Sequence, residues 1–109
     1  MPAIHLLCRA KRQTPSSFQN LGHPTYLTGW WKVPLVTARG LIGGTIYLHN
    51  TKQDPSRMGG EILDVVQAPP GEPKDRVGFV FRSTRSGRGG PWDWGPNTPN
   101  PNSEQSVIP

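Results

Sequence analysis

Two segments of the chain begin with paired glycines and continue in the alternating pattern of a β-strand. In the first, residues 43–49, Ile46 and Leu48 fall on one face and the intervening polar side chains on the other. The second covers residues 59–66. Glycine at the entrance of a strand permits a close approach of backbones that a side chain would prevent. Because only the polar loop 50–57 separates the segments, we expect them to pair as antiparallel neighbours.

Frequent glycine and proline residues restrict the rest of the chain to short elements. The 109 residues include 13 Gly and 13 Pro, which interrupt the sequence too often for long helices. Residues 4–8 and 77–81 are predicted to form further strands. Short helical segments are predicted after Ser16 or Ser17 and at residues 35–41. The fold class that follows is mainly β (α+β).

The same composition suggests where the folded domain ends. Residues 1–90 fit one domain, whereas the Pro/Asn-rich residues 91–109 are nearly free of aliphatic side chains and are expected to form a flexible tail. Docking of its last residues, Val107-Ile108, is the alternative, with no indication of where. One cysteine excludes an intramolecular disulfide, and Cys8 in its apolar segment is most simply a buried free thiol. With no signal-peptide pattern and no long apolar segment, we expect a cytoplasmic protein that does not enter a membrane.

The charge distribution favours a polyanionic partner. The net charge is +5, and residues 1–57 carry seven basic residues against one acidic residue. Such a basic region suits nucleic acid or a nucleotide, because each phosphate contact releases counterions and adds affinity. Excess charge that serves only solubility is the alternative. No cofactor is expected, and the sequence does not indicate an oligomeric state.

The central part of the chain carries a resemblance to a known superfamily. Residues 43–49, Thr51-Lys52 and residues 55–62 combine an aliphatic–Tyr strand, a polar loop with Lys and Pro-Ser, and glycines before the next strand. This stretch resembles PUA-like domains of the ASCH and EVE type. The resemblance covers about 40 residues and implies a small mixed β pseudo-barrel with one or two short helices and a cleft at its mouth.

The resemblance also implies a range of functions. PUA-like domains mostly bind RNA, EVE-type members are similar to readers of modified DNA bases, and some ASCH members are amide hydrolases on modified nucleosides. The hydrolytic pattern places a Lys and a Thr close together near the first helix. Here Thr25, Thr28 and Lys32 occur in a different order, so those catalytic roles are not carried over.

Aromatic and basic side chains supply the candidate binding site. Aromatic rings stack on bases, and Lys, Arg and hydroxyl groups bind phosphate. Adjacent Trp30 and Trp31 cannot both face a core from an extended segment, so one is expected to line a cleft or lie exposed. Core packing of the aromatics and a solvated loop are the alternatives. The predicted nucleic-acid-binding residues are Tyr26, Trp30, Trp31, Lys32, Lys52, Ser56, Arg57 and Arg82. Further basic residues that can follow a nucleic-acid backbone are Arg9, Lys11, Arg12, Arg85 and Arg88, with a solvated charge as the alternative for each.

Catalytic patterns are weak by comparison. The three histidines have no Cys or carboxylate partners at metal-ligand spacing, and neither a phosphate-binding loop nor a nucleophile elbow is present. We therefore predict a nucleic-acid-binding module that recognises a modified or extruded base, with no catalytic residues and no metal. Two alternatives stay open. One is a small amidohydrolase acting on a modified nucleoside through Lys52 or Glu61, and the other is a protein-interaction module using Trp92-Asp93-Trp94.

Overall fold

Seven strands form one mixed sheet in the computed structural model, which describes residues 2–8, 17–51, 53–92 and 105–108. A six-residue helix, α1 (Leu35–Gly40), follows the third strand, and a short 3₁₀ turn covers Arg85–Gly87. The strands are β1 (Ala3–Leu7), β2 (Phe18–Gly22), β3 (Thr25–Trp31), β4 (Thr45–His49), β5 (Met58–Gln67), β6 (Val77–Ser83) and β7 (Gln105–Ile108). The predicted mainly β, α+β class is confirmed.

The strands lie in the order β2-β3-β6-β5-β4-β1-β7. The two glycine-led strands, β4 and β5, are antiparallel neighbours with Ile46 opposite Gly60, as the sequence predicts. The predicted strands at residues 4–8 and 77–81 correspond to β1 and β6, and α1 matches the predicted helix. β1 pairs in parallel with β4 and in antiparallel fashion with β7. β1 therefore joins the middle of the chain to its last described strand.

The core lies on one face of this sheet, which we call the inner face. Alternation along β4 turns Ile46 and Leu48 to the inner face, and the paired residues of β1 do the same. α1 covers part of the inner face with Ala38, and Leu41 follows it. The fully buried apolar side chains on strands are Ile4, Leu6, Ile46, Leu48, Ile62, Phe79 and Phe81. The opposite, outer face carries the polar side chains of the same strands.

Two sequence predictions are wrong at the level of secondary structure. Residues 18–20 belong to strand β2 and not to a helical turn, because Phe18 pairs with Thr28 and its ring lies 5.8 Å from that of Tyr26. This pairing across a hairpin outweighs the local capping signal of a serine. Residues 105–108 of the expected flexible tail form β7, whose Val107 packs against the core. Residues 93–104 lie outside the described part.

The described helices include none that is long and apolar enough to cross a membrane.

Candidate nucleic-acid interface

A groove crosses the outer face beside the segment of residues 84–90, which we call the strap. One part has a volume of about 180 Å³ and is lined by Gly43, Gly44, Thr45, Gly60, Glu61, Thr84 and Ser86. A second part, of about 270 Å³, is lined by Ser83, Thr84, Arg85 and Arg88. Thr84 lines both parts, so they adjoin. We call the first part the glutamate end and the second the arginine end.

Ser56 fastens the strap to the sheet. Its Oγ donates a hydrogen bond to the carbonyl of Gly87 at 2.7 Å and accepts one from the N–H of Gly90 at 2.9 Å. Its backbone N–H donates to the Gly90 carbonyl, and its carbonyl accepts from the Gly89 N–H. The side chain is only 4% exposed. Ser56, predicted to contact phosphate, is therefore a buried support of the groove and not part of its surface.

A glycine pair lets the strap lie directly on β5. A Cβ atom on Gly87 would stand 2.1 Å from the carbonyl carbon and oxygen of Gly59, well inside van der Waals contact. A Cβ atom on Gly59 would likewise overlap the carbonyl oxygen of Ile46. Only glycine permits this approach of three backbone segments. The glycine before β5 that the sequence singles out thus positions the strap and the groove.

Two exposed arginines lie at the arginine end. Neither Arg85 nor Arg88 has an ion-pair partner among the residues that the structure describes. Arg82, by contrast, donates from Nη2 to Glu61 Oε1 at 2.7 Å, and both side chains are about half exposed. The positive charge of Arg82 is largely offset by Glu61, whereas Arg85 and Arg88 remain available to an anion.

Hydroxyl groups and one carboxylate line the rest of the groove. The Thr84 and Ser86 hydroxyls are 3.1 Å apart, so one donates to the other and a second hydrogen-bonding position on each remains for a ligand. Glu61 Oε1 accepts a hydrogen bond from Arg82, and no described residue donates one to Glu61 Oε2. The groove therefore offers donors at one end and a carboxylate acceptor at the other.

A buried histidine pair lies on the outer face next to the strap. His5 Nδ1 and His49 Nε2 are 2.8 Å apart, and His49 Nδ1 lies 3.0 Å from the Asp54 carbonyl. Because a carbonyl only accepts, His49 Nδ1 carries the hydrogen, and neutral His49 accepts at Nε2 from His5 Nδ1–H. Burial lowers the pKa of His49 below its ordinary value of 6.5, and the hydrogen bond to the Asp54 carbonyl opposes that shift.

Aromatic rings enclose the histidine pair. The ring of Tyr47 stacks on His5 at 4.6 Å, and Trp92, just beyond the strap, meets His49 edge-on at 5.1 Å. His5 and His49 are 4% and 0% exposed. The pair thus ties β1 and β4 to the loop that carries Ser56, with Trp92 packed over it. Trp92 has a structural position here, and Trp94 lies outside the described residues.

The two adjacent tryptophans point to opposite faces, as the sequence predicts. Trp31 is buried on the inner face, where Nε1–H donates to Thr28 Oγ1 at 3.2 Å. Trp30 packs on the outer face against Gly78, where a Cβ atom would come within 2.6 Å of the indole ring. Trp30 Nε1 is buried and has no hydrogen-bond partner among the described residues. Trp31 belongs to the core and is withdrawn from the site.

The other predicted residues do not converge on the groove. Tyr26 packs on the inner face, 5.9 Å from the ring of Phe81. Arg57 donates from Nη2 to the Cys8 carbonyl at 3.2 Å. Lys32 is exposed, and its carbonyl accepts a hydrogen bond from Gln105 Nε2. Lys52 lies outside the described residues, and Arg82 reaches the groove through Glu61.

The groove also uses residues that the sequence prediction left out of the site. Thr45, Thr84 and Ser86 are absent from the prediction, which names Arg85 and Arg88 only as residues that can follow a nucleic-acid backbone. The available signal was local: residues 82–88 hold three arginines, two serines and one threonine, with no acidic residue. Among the described residues, no group of three or more His, Cys, Asp or Glu side chains is placed to hold a metal ion.

The chain matches no protein-family model, no curated protein and no solved structure. A functional assignment therefore has to begin from the groove itself.

Proposed function

We propose that this protein is a nucleic-acid-binding module whose strap contacts the sugar–phosphate backbone. The observation that carries the proposal is the pair of exposed arginines, Arg85 and Arg88, which lack an ion-pair partner among the described residues and lie beside the hydroxyls of Ser83 and Thr84. Guanidinium groups bind phosphate oxygens through two parallel hydrogen bonds, and hydroxyl groups add further donors. The arginine end thus has the chemistry of a phosphate site.

The way in which the strap is held supports this proposal. Four hydrogen bonds to Ser56 and the contact of Gly87 with Gly59 fix its backbone. A fixed backbone reduces the conformational entropy that is lost when the arginines engage a ligand. The net charge of +5 acts in the same direction, because it raises the rate at which a polyanion meets the surface.

The resemblance of residues 43–62 to PUA-like domains of the ASCH and EVE type is a second support, since such domains mostly bind RNA. We include in the proposal that the sheet is a PUA-like pseudo-barrel and that the ligand presents an unpaired base. Single strands and extruded bases both offer that arrangement.

The proposal is tested by binding of labelled 12-nucleotide single strands of DNA and RNA, followed by fluorescence anisotropy at 50 to 300 mM salt. We expect affinity to fall steeply with salt, because phosphate contacts release counterions. The Arg85→Ala and Arg88→Ala variants should each bind about threefold to tenfold more weakly and should lower the salt slope by about one unit or less.

Lys74→Ala is the matched control, because it removes one exposed positive charge from the loop before β6, at the opposite end of that strand from the strap. Equal losses in Lys74→Ala and Arg88→Ala would mean that only net charge matters and would contradict the assigned site. Binding that does not respond to salt, or no binding at 50 mM salt, would refute the function itself.

A further inference from the structure

The two ends of the groove differ in charge, and this difference has a consequence for the ligand. The arginine end carries Arg85 and Arg88, whereas the glutamate end carries the carboxylate of Glu61. A phosphate is attracted by the two unpaired arginines, whereas the ion pair of Glu61 with Arg82 offers it little net attraction. A bound nucleotide would therefore place its phosphate at the arginine end, and a different part of the nucleotide would face Glu61.

Glu61 is arranged as a hydrogen-bond acceptor. Arg82 occupies Oε1 at 2.7 Å, which holds the carboxylate in position, while Oε2 receives no hydrogen bond from any described residue. An ionised carboxylate only accepts hydrogen bonds. The group that it selects must therefore present an N–H or O–H. Exocyclic amino groups project such a donor from the base, whereas the ring N–H of uracil and thymine lies between two carbonyl oxygens that a carboxylate repels.

The glutamate end has the size of one base. Its volume of about 180 Å³ equals the space of about six liquid water molecules and is smaller than the usual pocket for a whole small ligand. Three of its lining residues are glycines, so no side chain rises from them into the groove. The hydroxyls of Thr45, Thr84 and Ser86 stand around it and can donate to the ring nitrogen that neighbours an amino group.

We propose that Glu61 reads the base beside the bound phosphate and favours bases that carry an exocyclic amino group over uracil or thymine. This inference rests on the proposed function, since Arg85 and Arg88 hold the adjoining phosphate. A carbonyl at the same position of the base would bring its oxygen against the carboxylate oxygen of Glu61. Both atoms are acceptors, so no hydrogen bond can form between them. Glu61 is thus the specificity-determining residue of the groove, and the arginines provide affinity without regard to sequence.

The test compares oligo(dC) with oligo(dU), each of 12 nucleotides, because these two bases differ only along one edge. Cytosine presents an amino group beside an acceptor nitrogen there, and uracil presents a carbonyl beside an N–H. In the native protein we expect oligo(dC) to bind about threefold to tenfold more tightly. In Glu61→Gln the ratio should fall close to one, since an amide can donate to the carbonyl as well as accept from the amino group.

Two variants separate the role of the carboxylate from the ion pair and from net charge. Arg82→Gln removes the ion pair but leaves an amide that can still donate a hydrogen bond to Glu61, so the preference for oligo(dC) should persist. Glu72→Gln changes charge by the same amount in the distant loop before β6 and should leave the ratio unchanged. Melting temperature and circular dichroism check that each variant is folded.

The outcomes distinguish this inference from the function on which it rests. If neither oligonucleotide binds in a salt-dependent way, the proposed function fails, and the reading of bases fails with it. If both bind equally to the native protein, or if Glu61→Gln keeps the native ratio, phosphate binding stands and the role of Glu61 is wrong. If Arg82→Gln abolishes the preference, the ion pair and not the free carboxylate sets specificity, which also overturns the inference.

Discussion

Ser56 makes four hydrogen bonds to the strap, two through its side chain and two through its backbone. Sequence alone indicates a hydroxyl in a polar loop, and such a hydroxyl is as suitable for phosphate as for a backbone. Whether the Ser56 hydroxyl binds phosphate or backbone depends on the strap, which follows Ser56 by about 30 residues along the chain. Trp31 shows the same limit, because the direction of each of the two tryptophans is set by the pairing of β3 with β6.

His49 makes the stability of the protein depend on pH. Burial lowers its pKa in the folded state below the value of 6.5 expected for the unfolded chain. Below pH 6.5 the unfolded state therefore binds more protons, so stability is complete above pH 6.5 and is lost as the pH falls from there towards the folded-state pKa. The slope contributed by this residue is at most about 1.4 kcal/mol per pH unit.

We expect urea unfolding at pH 7.5, 6.5, 5.5 and 5.0 to show this loss, and His49→Gln to reduce it because glutamine does not titrate. Among the described residues, the groups in contact with the His49 ring are His5, Trp92 and the Asp54 carbonyl, none of which is a carboxylate that could offset a proton. His23→Gln, at an exposed position, is the control. A native-like slope in His49→Gln would show that other groups cause the pH dependence.

At the scale of elements, the strap can lie against β5 because Gly59 and Gly87 have no side chains. We expect Gly87→Ala to displace the strap from β5, because the added Cβ would overlap the Gly59 backbone. The hydrogen bonds from Gly89 and Gly90 to Ser56 should then weaken. Amide hydrogen exchange at those two residues should speed up at least tenfold, which corresponds to a loss of about 1.4 kcal/mol in local stability.

Gly40→Ala is the matched control for this change, because a Cβ on Gly40 meets no atom within 4 Å and the residue lies in α1. Alanine stabilises a helical position relative to glycine by up to about 1 kcal/mol. Oligonucleotide affinity should fall in Gly87→Ala and stay unchanged in Gly40→Ala. Unaltered exchange at Gly89 and Gly90 in Gly87→Ala would mean that the strap accommodates a side chain there.

The elements divide into those with a local signal and those without one. β4, β5, β6 and α1 could be predicted because alternation and flanking glycines or prolines are visible within each segment. β2 and β7 could not, because neither has enough apolar residues to indicate a strand. They form by pairing with β3 and β1, and one apolar side chain of each, Phe18 and Val107, packs against the core.

At the scale of the whole molecule, β7 completes the sheet beside β1. Truncation after Trp92 would remove the partner of Ala3, Ile4, His5 and Leu6 along one edge of β1. We expect a loss of at least about 2 kcal/mol in the free energy of unfolding, from the burial of Val107 and from the lost strand pairing. Urea unfolding measures this loss.

The control for this truncation is a full-length chain with Ser103→Ala, which changes the same segment and keeps the residues of β7. Equal stability of the truncated and full-length chains would show that β7 does not contribute to the folded state. The groove lies at β4, β5 and the strap, two strands away from β7. Affinity of truncated protein that remains folded should therefore be retained.

The position of β1 between β4 and β7 bears on how the chain reaches its native state. β1 is the first described strand to leave the ribosome, yet one of its partners begins at residue 45 and the other at residue 105. Pairings between such distant residues close large loops and slow folding. During synthesis β1 thus has an unpaired edge until β7 emerges, and an unpaired edge is where strands of other chains can add. We therefore expect the sheet to be completed only when β7 pairs with β1, and the edge of β1 to stay open to other strands until then.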